Sequence, residues 1–519
     1  MSLKKKSVLF LDLQTTGAKP DTANILEIAW GSLQSETVES FLVQQPEDQP
    51  VPRRIQFITG IYDKHMVDAR PLPEVFSSLK EFIKTHVGED VLAVIHFAQF
   101  EKPFLADAYE KLQEAMPFSI LCTHEIAKRL FPNLPTRGIK GLAGYFGCPS
   151  GELKRAANHV QATQVIWQGL TAALEEKGIH TVEELHHWLQ ETPKTARSKY
   201  EYPLPKEKRL SLPKEPGIYR MMSRWGEVLY VGKATSLHDR VNSYFRGQKN
   251  RDTRKLEMLT QVWDLHVTTV GSPLEAALLE TDEIKRLNPP YNVSLKVGRR
   301  ELAFFNRDFT SSRAEADDEH FIGPFSNAMA LDSILRLSAS LAAESFDENM
   351  FYEPLDAELL KEGFQLFCER HGFEMYEFTS VRAILAVGLN WYRKLKDEDE
   401  EEAQELLEET ETSEEDDDVE TELTAEDIAD KFERHFIRSA ATYLRTKKLT
   451  ALMNAHIQVT GEQKIDLRIH NGHIVKEDLP KTISKCPWKD HSVDTYDRMT
   501  VLYTELNKLR SQDHIVEMS

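Results

Sequence analysis

Short apolar runs alternate with amphipathic stretches over the first third of the chain. Three apolar runs predict strands, at residues 7–12, 25–30 and 91–95. Apolar side chains recur at helical spacing in two stretches, which predict helices at residues 73–85 and 102–115. Because strands that alternate with helices are typical of an α/β domain, we place such a domain at residues 5–175.

The later pattern divides the chain further. Thr181 followed by Glu184 forms a capping box that predicts the start of a helix, and a Pro- and Lys-rich linker follows at 192–208. Beyond the first domain we expect a helix and linker at residues 176–208 and a second domain at 209–300. A mostly helical or mixed C-terminal region then covers residues 301–396 and 425–519, and an acidic, disordered run at 397–424 divides it in two.

Charge is segregated along the chain. The 519 residues carry a net charge of −20, but residues 397–422 hold 17 acidic and no basic side chains, so the remainder carries only −3. Residues 208–300 hold 17 basic against 10 acidic side chains. A basic segment of this kind is typical of a protein that binds phosphates, although it also fits an ordinary basic surface.

The sequence argues against several classes of protein. No run of about 18 uncharged apolar residues is present, which disfavours a membrane-spanning helix. The apolar run after Lys6 meets Asp12 too early for a signal peptide, so we expect a cytoplasmic protein. The four cysteines are far apart, which disfavours a structural zinc site or a disulfide framework.

The second domain contains an ordered set of chemically capable residues. Gly217-Ile218-Tyr219 and Tyr230-Val231-Gly232 lie on two apolar stretches, and the set continues with Lys233, Arg240, Tyr244, Glu280 and Asn292. The stretch resembles the GIY-YIG endonucleases, most closely the N-terminal nuclease domain of the excision-repair subunit UvrC. The resemblance implies a small α/β fold and a nuclease that acts on DNA.

Local patterns agree with this resemblance. Ser236 can cap a helix on which Arg240 and Tyr244, four residues apart, share one face. An arginine there can bind a phosphate and neutralise the charge that develops on it. Glu280 lies at helical spacing beside an apolar stripe, where a carboxylate needs a partner.

The resemblance gives each residue a role. It implies that Glu280 is the sole protein ligand of Mg²⁺ or Mn²⁺, that a water attacks the phosphorus in line, and that Asn292 fixes the site. We assign the general base to Tyr230 with support from Tyr219, although the sequence leaves open which of these tyrosines is the base. Lys233 adds a further positive charge.

The first domain resembles the DnaQ-like 3′–5′ exonucleases, which implies an RNase H-like mixed-sheet fold. The motif residues that correspond to the exonuclease site are Asp12, Gln14, Glu101, Lys154 and His159. Gln14 replaces a glutamate, Glu101 an aspartate, and Lys154 the catalytic histidine, with His159 in place of the last aspartate. If His159 is instead the catalytic histidine, Gln164 falls where an aspartate belongs. Because two divalent ions need several carboxylates, we expect this domain to be inactive.

The sequence therefore favours a GIY-YIG endonuclease that nicks DNA, in a repair pathway of the nucleotide-excision type. The alternatives are a non-catalytic DNA-binding or scaffold protein and, with less support, a 3′–5′ exonuclease. Expected partners are DNA and excision-repair proteins, with no membrane. Residues 321–325 and 496–499 resemble the tail of proteins that fuse the same two domains, but they suggest no chemistry.

Overall fold

The computed structural model divides the chain into two compact units. Residues 1–273 and 287–294 form the first, and residues 274–286 and 295–519 form the second. The described residues are 3, 6–35, 37–46, 49–148, 153–191, 200–246, 252–293, 301–326, 328–351, 354–398, 423–461, 464–476, 486–512 and 514–519. Most of the predicted acidic run and the first part of the predicted linker lie outside them.

A five-stranded mixed sheet forms the first part of the first unit. Its strands are β1 (Leu9–Thr15), β2 (Ile25–Gly31), β3 (Glu39–Leu42), β4 (Val91–Ile95) and β5 (Phe118–Cys122). Their order is β3-β2-β1-β4-β5; β1–β2 and β2–β3 are antiparallel, whereas β1–β4 and β4–β5 are parallel. This topology confirms the predicted RNase H-like mixed sheet.

Helices cover both faces of this sheet. They are α1 (Arg53–Thr59), α2 (Leu72–Phe82), α3 (Ala98–Lys111), α4 (Thr123–Leu130), α5 (Ile139–Phe146), α6 (Ala156–Glu176) and α7 (Val182–Gln190). Side chains of β1 alternate between two cores, because successive residues of a strand point to opposite faces. Phe10 packs in the core that contains Trp167, whereas Leu9 and Leu11 pack in the core that contains Phe76. The Thr181 capping box is present.

A three-stranded antiparallel sheet forms the second part of this unit. Its elements are α8 (Lys206–Leu210), β6 (Gly217–Met222), β7 (Val228–Ala234), α9 (Leu237–Ser243), α10 (Thr253–Gln261) and β8 (Asp264–Thr269). The strand order is β7-β6-β8, so the two tripeptide motifs lie on paired strands. Ser236 caps α9 by accepting a hydrogen bond from the Asp239 amide.

The two parts of the first unit meet where α5 lies against α10. A Cβ atom on Gly144 would lie 1.7 Å from Oε1 of Gln261, so a larger residue there would displace the Gln261 side chain. Beside it, the amide of Thr136 donates a hydrogen bond of 3.2 Å to Oγ1 of Thr260. The exonuclease-type fold therefore packs directly on a helix of the second domain.

The second unit combines two small antiparallel sheets with long helices. Its elements are α11 (Pro273–Leu287, of which 274–286 belong to this unit), β9 (Ala303–Asn306), β10 (Ser312–Arg313), β11 (His320–Phe325), α12 (Asp332–Ala343), α13 (Ala357–His371), α14 (Val381–Glu398), α15 (Ala425–Leu452), β12 (Ala455–Thr460), β13 (Ile465–His470), β14 (His473–Val475), α16 (Val493–Arg510) and β15 (Ile515–Met518). The sheet orders are β10-β9-β11 and β14-β13-β12-β15.

The segments on either side of the acidic run share one core. Phe364 of α13 and Phe432 of α15 have ring centroids 5.0 Å apart, and both belong to the apolar cluster that also contains Ile384 of α14. The C-terminal region is therefore mixed, with a helical core, as predicted. In the part of the chain that the structure describes, no helix is long and apolar enough to cross a membrane.

Candidate functional sites

Three tyrosines from three elements converge in the second domain. Tyr219 lies on β6, Tyr230 on β7, and Tyr244 at the end of α9. Their ring centroids are 6.1 to 6.3 Å apart, and the hydroxyls of Tyr219 and Tyr244 are hydrogen bonded at 2.9 Å. This tyrosine cluster brings together three residues that are up to 25 positions apart in the sequence.

Gly232 makes the tyrosine cluster possible. It pairs with Tyr219 in the β6–β7 register. A Cβ atom at this position would lie 2.4 Å from the Tyr219 hydroxyl oxygen and 2.8 Å from Cε1 of Tyr230. The last glycine of the second tripeptide is therefore needed so that the two tyrosines can occupy one space.

Burial separates the roles of these tyrosines. Tyr219 is fully buried, and burial together with the neighbouring Tyr244 and Tyr230 raises its pKa well above the usual range. A phenol in that state keeps its proton and orients its neighbours. Tyr230 is half-buried and so has more access to solvent and to a substrate.

Two cations lie over the Tyr244 ring of the tyrosine cluster. The guanidinium carbon of Arg240 is 5.5 Å from the Tyr244 ring centroid, and the Lys255 ammonium is 5.8 Å from the same ring. Burial opposes charge on Arg240, but the adjacent tyrosine hydroxyls more than offset it, so the pKa of Arg240 is raised. Lys233 is half-buried on β7. Sequence reasoning missed Lys255, which lies on α10 between the motif residues Tyr244 and Glu280.

Asn292 fastens the end of the domain to β7. Its Oδ1 accepts a hydrogen bond of 3.0 Å from the Val231 amide, and its Nδ2 donates one of 2.9 Å to the Val231 carbonyl. The side chain thus pairs with the strand as another backbone would. Because Val231 lies between Tyr230 and Gly232, Asn292 fixes the part of β7 that carries these two residues.

Glu280 lies near the middle of α11 and is half-buried. A single carboxylate suits Mg²⁺, which binds one or two carboxylates and keeps several waters. Within the described ranges, no group of three or more His, Cys, Asp or Glu side chains is arranged to hold a metal ion. The Glu280 carboxylate is a donor of the kind that Mg²⁺ accepts.

In the first domain, a histidine lies close enough to Asp12 to offset the charge of its carboxylate. Nδ1 of His159 on α6 lies 3.1 Å from Oδ1 of Asp12, and the Gln14 amide donates to Oδ2 at 3.4 Å. Burial raises the pKa of Asp12, although His159 opposes this. Burial alone would lower the pKa of His159, but the charge of Asp12 more than offsets it, so that pKa is raised.

Glu101 completes this small buried group. Burial and the charge of Asp12 raise its pKa well above the usual range, so it keeps its proton. Its Oε2 atom is buried and has no hydrogen-bond partner among the described residues. The group therefore presents two carboxyl side chains, of which one is neutral and the other is hydrogen bonded to an imidazole.

The remaining motif residues lie apart. Lys154 is exposed, and Gln164 donates a hydrogen bond to the Ser32 carbonyl. His159, rather than Lys154, thus lies at the carboxylates, which favours the register that places it in a ligand position.

Sequence reasoning missed a structural ion pair beside this group. Arg155 donates to the buried Glu27 through Nε at 3.0 Å and Nη2 at 2.7 Å. Glu27 also accepts a hydrogen bond from the Ala156 amide at 2.9 Å, so it fixes the start of α6. A lone acidic residue inside an apolar strand was the signal, because a buried charge needs a partner.

Two protein families match this chain. Residues 215–293 match the UvrC-like GIY-YIG domain, and residues 9–152 match the exonuclease family typified by RNase T. The chain therefore carries an exonuclease-family domain followed by a UvrC-like GIY-YIG domain.

Curated relatives share parts of the chain. A Mycobacterium tuberculosis protein, named as a bifunctional exonuclease/endonuclease, is 29% identical over 306 residues, or 56% of this chain and 45% of that protein. The UvrABC system protein C of Chlorobaculum tepidum is 37% identical over 141 residues, or 26% of this chain and 22% of that protein. The chain thus spans less than half the length of either relative.

Among solved structures, the GIY-YIG domain of Thermotoga maritima UvrC with bound magnesium is 32% identical. It covers 17% of this chain, the match spans 94% of that domain, and the TM-score is 0.16.

Proposed function

We propose that this chain, which carries an exonuclease-family domain and a UvrC-like GIY-YIG domain, is a divalent-metal-dependent endonuclease that nicks DNA. The observation that supports this most is the tyrosine cluster with Arg240 above it, because it combines a proton acceptor with a fixed cation. Glu280 supplies the carboxylate for Mg²⁺ or Mn²⁺. The intact set contrasts with the altered motifs of the first domain.

The residues divide the chemistry of phosphodiester hydrolysis among themselves. Tyr230, after losing its own proton to solvent, takes the proton of the attacking water as a phenolate, and Tyr219, held by Tyr244, keeps its oxygen oriented. Arg240 neutralises the charge that develops on the phosphate. When bound at Glu280, a divalent cation would polarise the phosphate and stabilise the leaving oxygen.

The substrate and the process follow from the relatives and the charge. The basic balance of residues 208–300 suits a polyanion such as DNA. Similarity to UvrABC system protein C supports incision in a repair pathway of the nucleotide-excision type, with excision-repair proteins as partners.

The first domain has a different role in this proposal. His159 occupies the space at Asp12 where a metal ion would otherwise compensate the carboxylate. We expect the domain to be inactive as an exonuclease and to serve as a support on which α10 is packed. The alternative of a wholly non-catalytic scaffold predicts no incision at all.

The experiment is a nicking assay on supercoiled plasmid and on a duplex with a bulky lesion, with Mg²⁺. We expect Glu280→Gln to lower incision at least about 100-fold, since a neutral amide is a poor metal ligand. Glu283→Gln is the matched control, because Glu283 pairs with Arg286 on the same helix. Incision that survives Glu280→Gln would remove Glu280 from the site; a wild type that cuts neither DNA would favour the scaffold.

A further inference from the structure

Helix α11 carries two different faces. With about 100° per residue, Leu274, Leu278, Asp282 and Lys285 fall within roughly 80° of one another around the helix. Glu280 lies roughly 200° from Leu278, on the opposite side. The face of Leu274 and Leu278, the packing face, lies opposite the carboxylate that the proposed function assigns to the metal, and Glu280 itself is flanked by the buried Ala276 and Ile284.

The packing face is apolar at its N-terminal half. Leu274 and Leu278 are almost fully buried, and both belong to the core of the C-terminal region. That core also contains Trp488, Tyr496 and Met499. The first two turns of the helix are thus anchored in a hydrophobic core to which α16 contributes.

The packing face is ionic at its C-terminal half. The Lys285 ammonium lies 2.7 Å from a carboxylate oxygen of Asp494 and 2.7 Å from one of Asp497. The side chains of Lys285 and Asp497 are only 9% and 11% exposed. Arg498 forms a second ion pair with Asp282. Because removing one partner of a buried ion pair leaves an uncompensated charge, these contacts fix the helix in one position.

These contacts give the Tyr496–Met499 stretch a function that the sequence alone did not suggest. We propose that the C-terminal region positions α11, the helix that carries the metal ligand. Its helix α16 contacts α11 on the face opposite Glu280 and holds it in place. This inference rests on the proposed function, because it assumes that Glu280 is the metal ligand. Arg498, Asp497 and Lys285 are positioning residues and do not touch the reacting atoms.

The test uses the full-length chain and Mn²⁺ as the probe, with binding followed by electron paramagnetic resonance. We expect Arg498→Glu to weaken Mn²⁺ binding about tenfold and to raise the Mg²⁺ concentration needed for nicking by a similar factor, since small displacements of a catalytic group are costly. The double variant Asp282→Arg/Arg498→Glu restores the pair with reversed charges, and we expect it to bind within about threefold of wild type.

Controls separate positioning from folding. Lys489→Glu breaks an exposed ion pair with Asp318 that involves no residue of α11, and it should leave Mn²⁺ binding unchanged. If Arg498→Glu does not fold, Asp282→Asn repeats the test, because it breaks the same ion pair more mildly. We expect it to weaken Mn²⁺ binding as well.

The outcomes also separate this inference from the proposed function. If a folded Arg498→Glu protein binds Mn²⁺ as tightly as wild type, or if the double variant does not recover binding, the positioning role is overturned. The proposed function would still stand if Glu280→Gln abolishes nicking. Mn²⁺ binding unaffected by Glu280→Gln would overturn both, since the helix would then carry no metal ligand.

Discussion

The two nuclease-type sites of this chain differ in how their polar groups are compensated. In the first domain, Asp12 is hydrogen bonded to His159 and lies beside Glu101, whose pKa is raised. The side chains of this site therefore offset the charge of Asp12 themselves. In the second, a cation lies over the tyrosine cluster, and Glu280 lies on a helix whose opposite face is anchored. A carboxylate beside a histidine partner attracts a metal ion less strongly, whereas a cation beside a site attracts an anion.

We expect the largest loss of nicking activity from a substitution of Gly232. Gly232→Ala places a methyl group 2.4 Å from the Tyr219 hydroxyl, so the tyrosine cluster must separate. We expect plasmid nicking to fall at least about 100-fold, because the hydroxyls lose their alignment. Gly138→Ala is the matched control, since its nearest neighbour lies at an ordinary 3.5 Å. Full activity in a folded Gly232→Ala protein would show that this arrangement is dispensable.

A smaller effect sharpens the assignment of the base. We expect Tyr230→Phe to lower the rate of nicking about 100-fold, because it removes the proton acceptor. Tyr219→Phe should cost only about tenfold, since its hydroxyl acts through Tyr244 and its pKa is raised by burial. Single-turnover rates of plasmid nicking measure the effects of both variants. Tyr202→Phe is the control, because Tyr202 packs against the same core. The reverse order would make Tyr219 the base.

The smallest effect concerns the first domain and pH. The pKa of His159 is raised by Asp12, so protonated His159 stabilises the fold below its ordinary pKa, and this stabilisation is lost as the pH rises through the raised value. We expect the midpoint of thermal unfolding to fall between about pH 6 and about pH 9 by more in wild type than in His159→Gln. Equal shifts in the two proteins would show that the Asp12–His159 pair does not contribute.

Much of the fold was open to prediction because its signals are local. Apolar runs predicted β1, β2 and β4, and cap residues predicted the starts of α7 and α9. The strand β8 was missed because only Leu265 and Val267 of its six residues are apolar, which is too short an alternation to predict a strand. The helix predicted at 102–115 begins at Ala98 instead, where Phe97 adopts a left-handed conformation that sequence periodicity does not reveal.

The sequence predicts a set of site residues but not how they are arranged. Spacing identified Tyr219, Tyr230, Arg240 and Asn292, yet the Tyr219–Tyr244 hydrogen bond and the Asn292–Val231 pairing depend on contacts between distant segments. The anchoring of α11 by α16 joins residues more than 200 positions apart. No local pattern encodes such pairs, because each partner alone is an ordinary charged helix residue.

The most direct test compares the products of three proteins on one end-labelled duplex with Mg²⁺: wild type, Asp12→Asn and Glu280→Gln. Wild type and Asp12→Asn are expected to give the same internal cuts at the same rate, and Glu280→Gln to give none. That result would place the activity in the second domain. Release of mononucleotides that is lost in Asp12→Asn but persists in Glu280→Gln would instead show that the first domain is an active exonuclease and contradict the central claim.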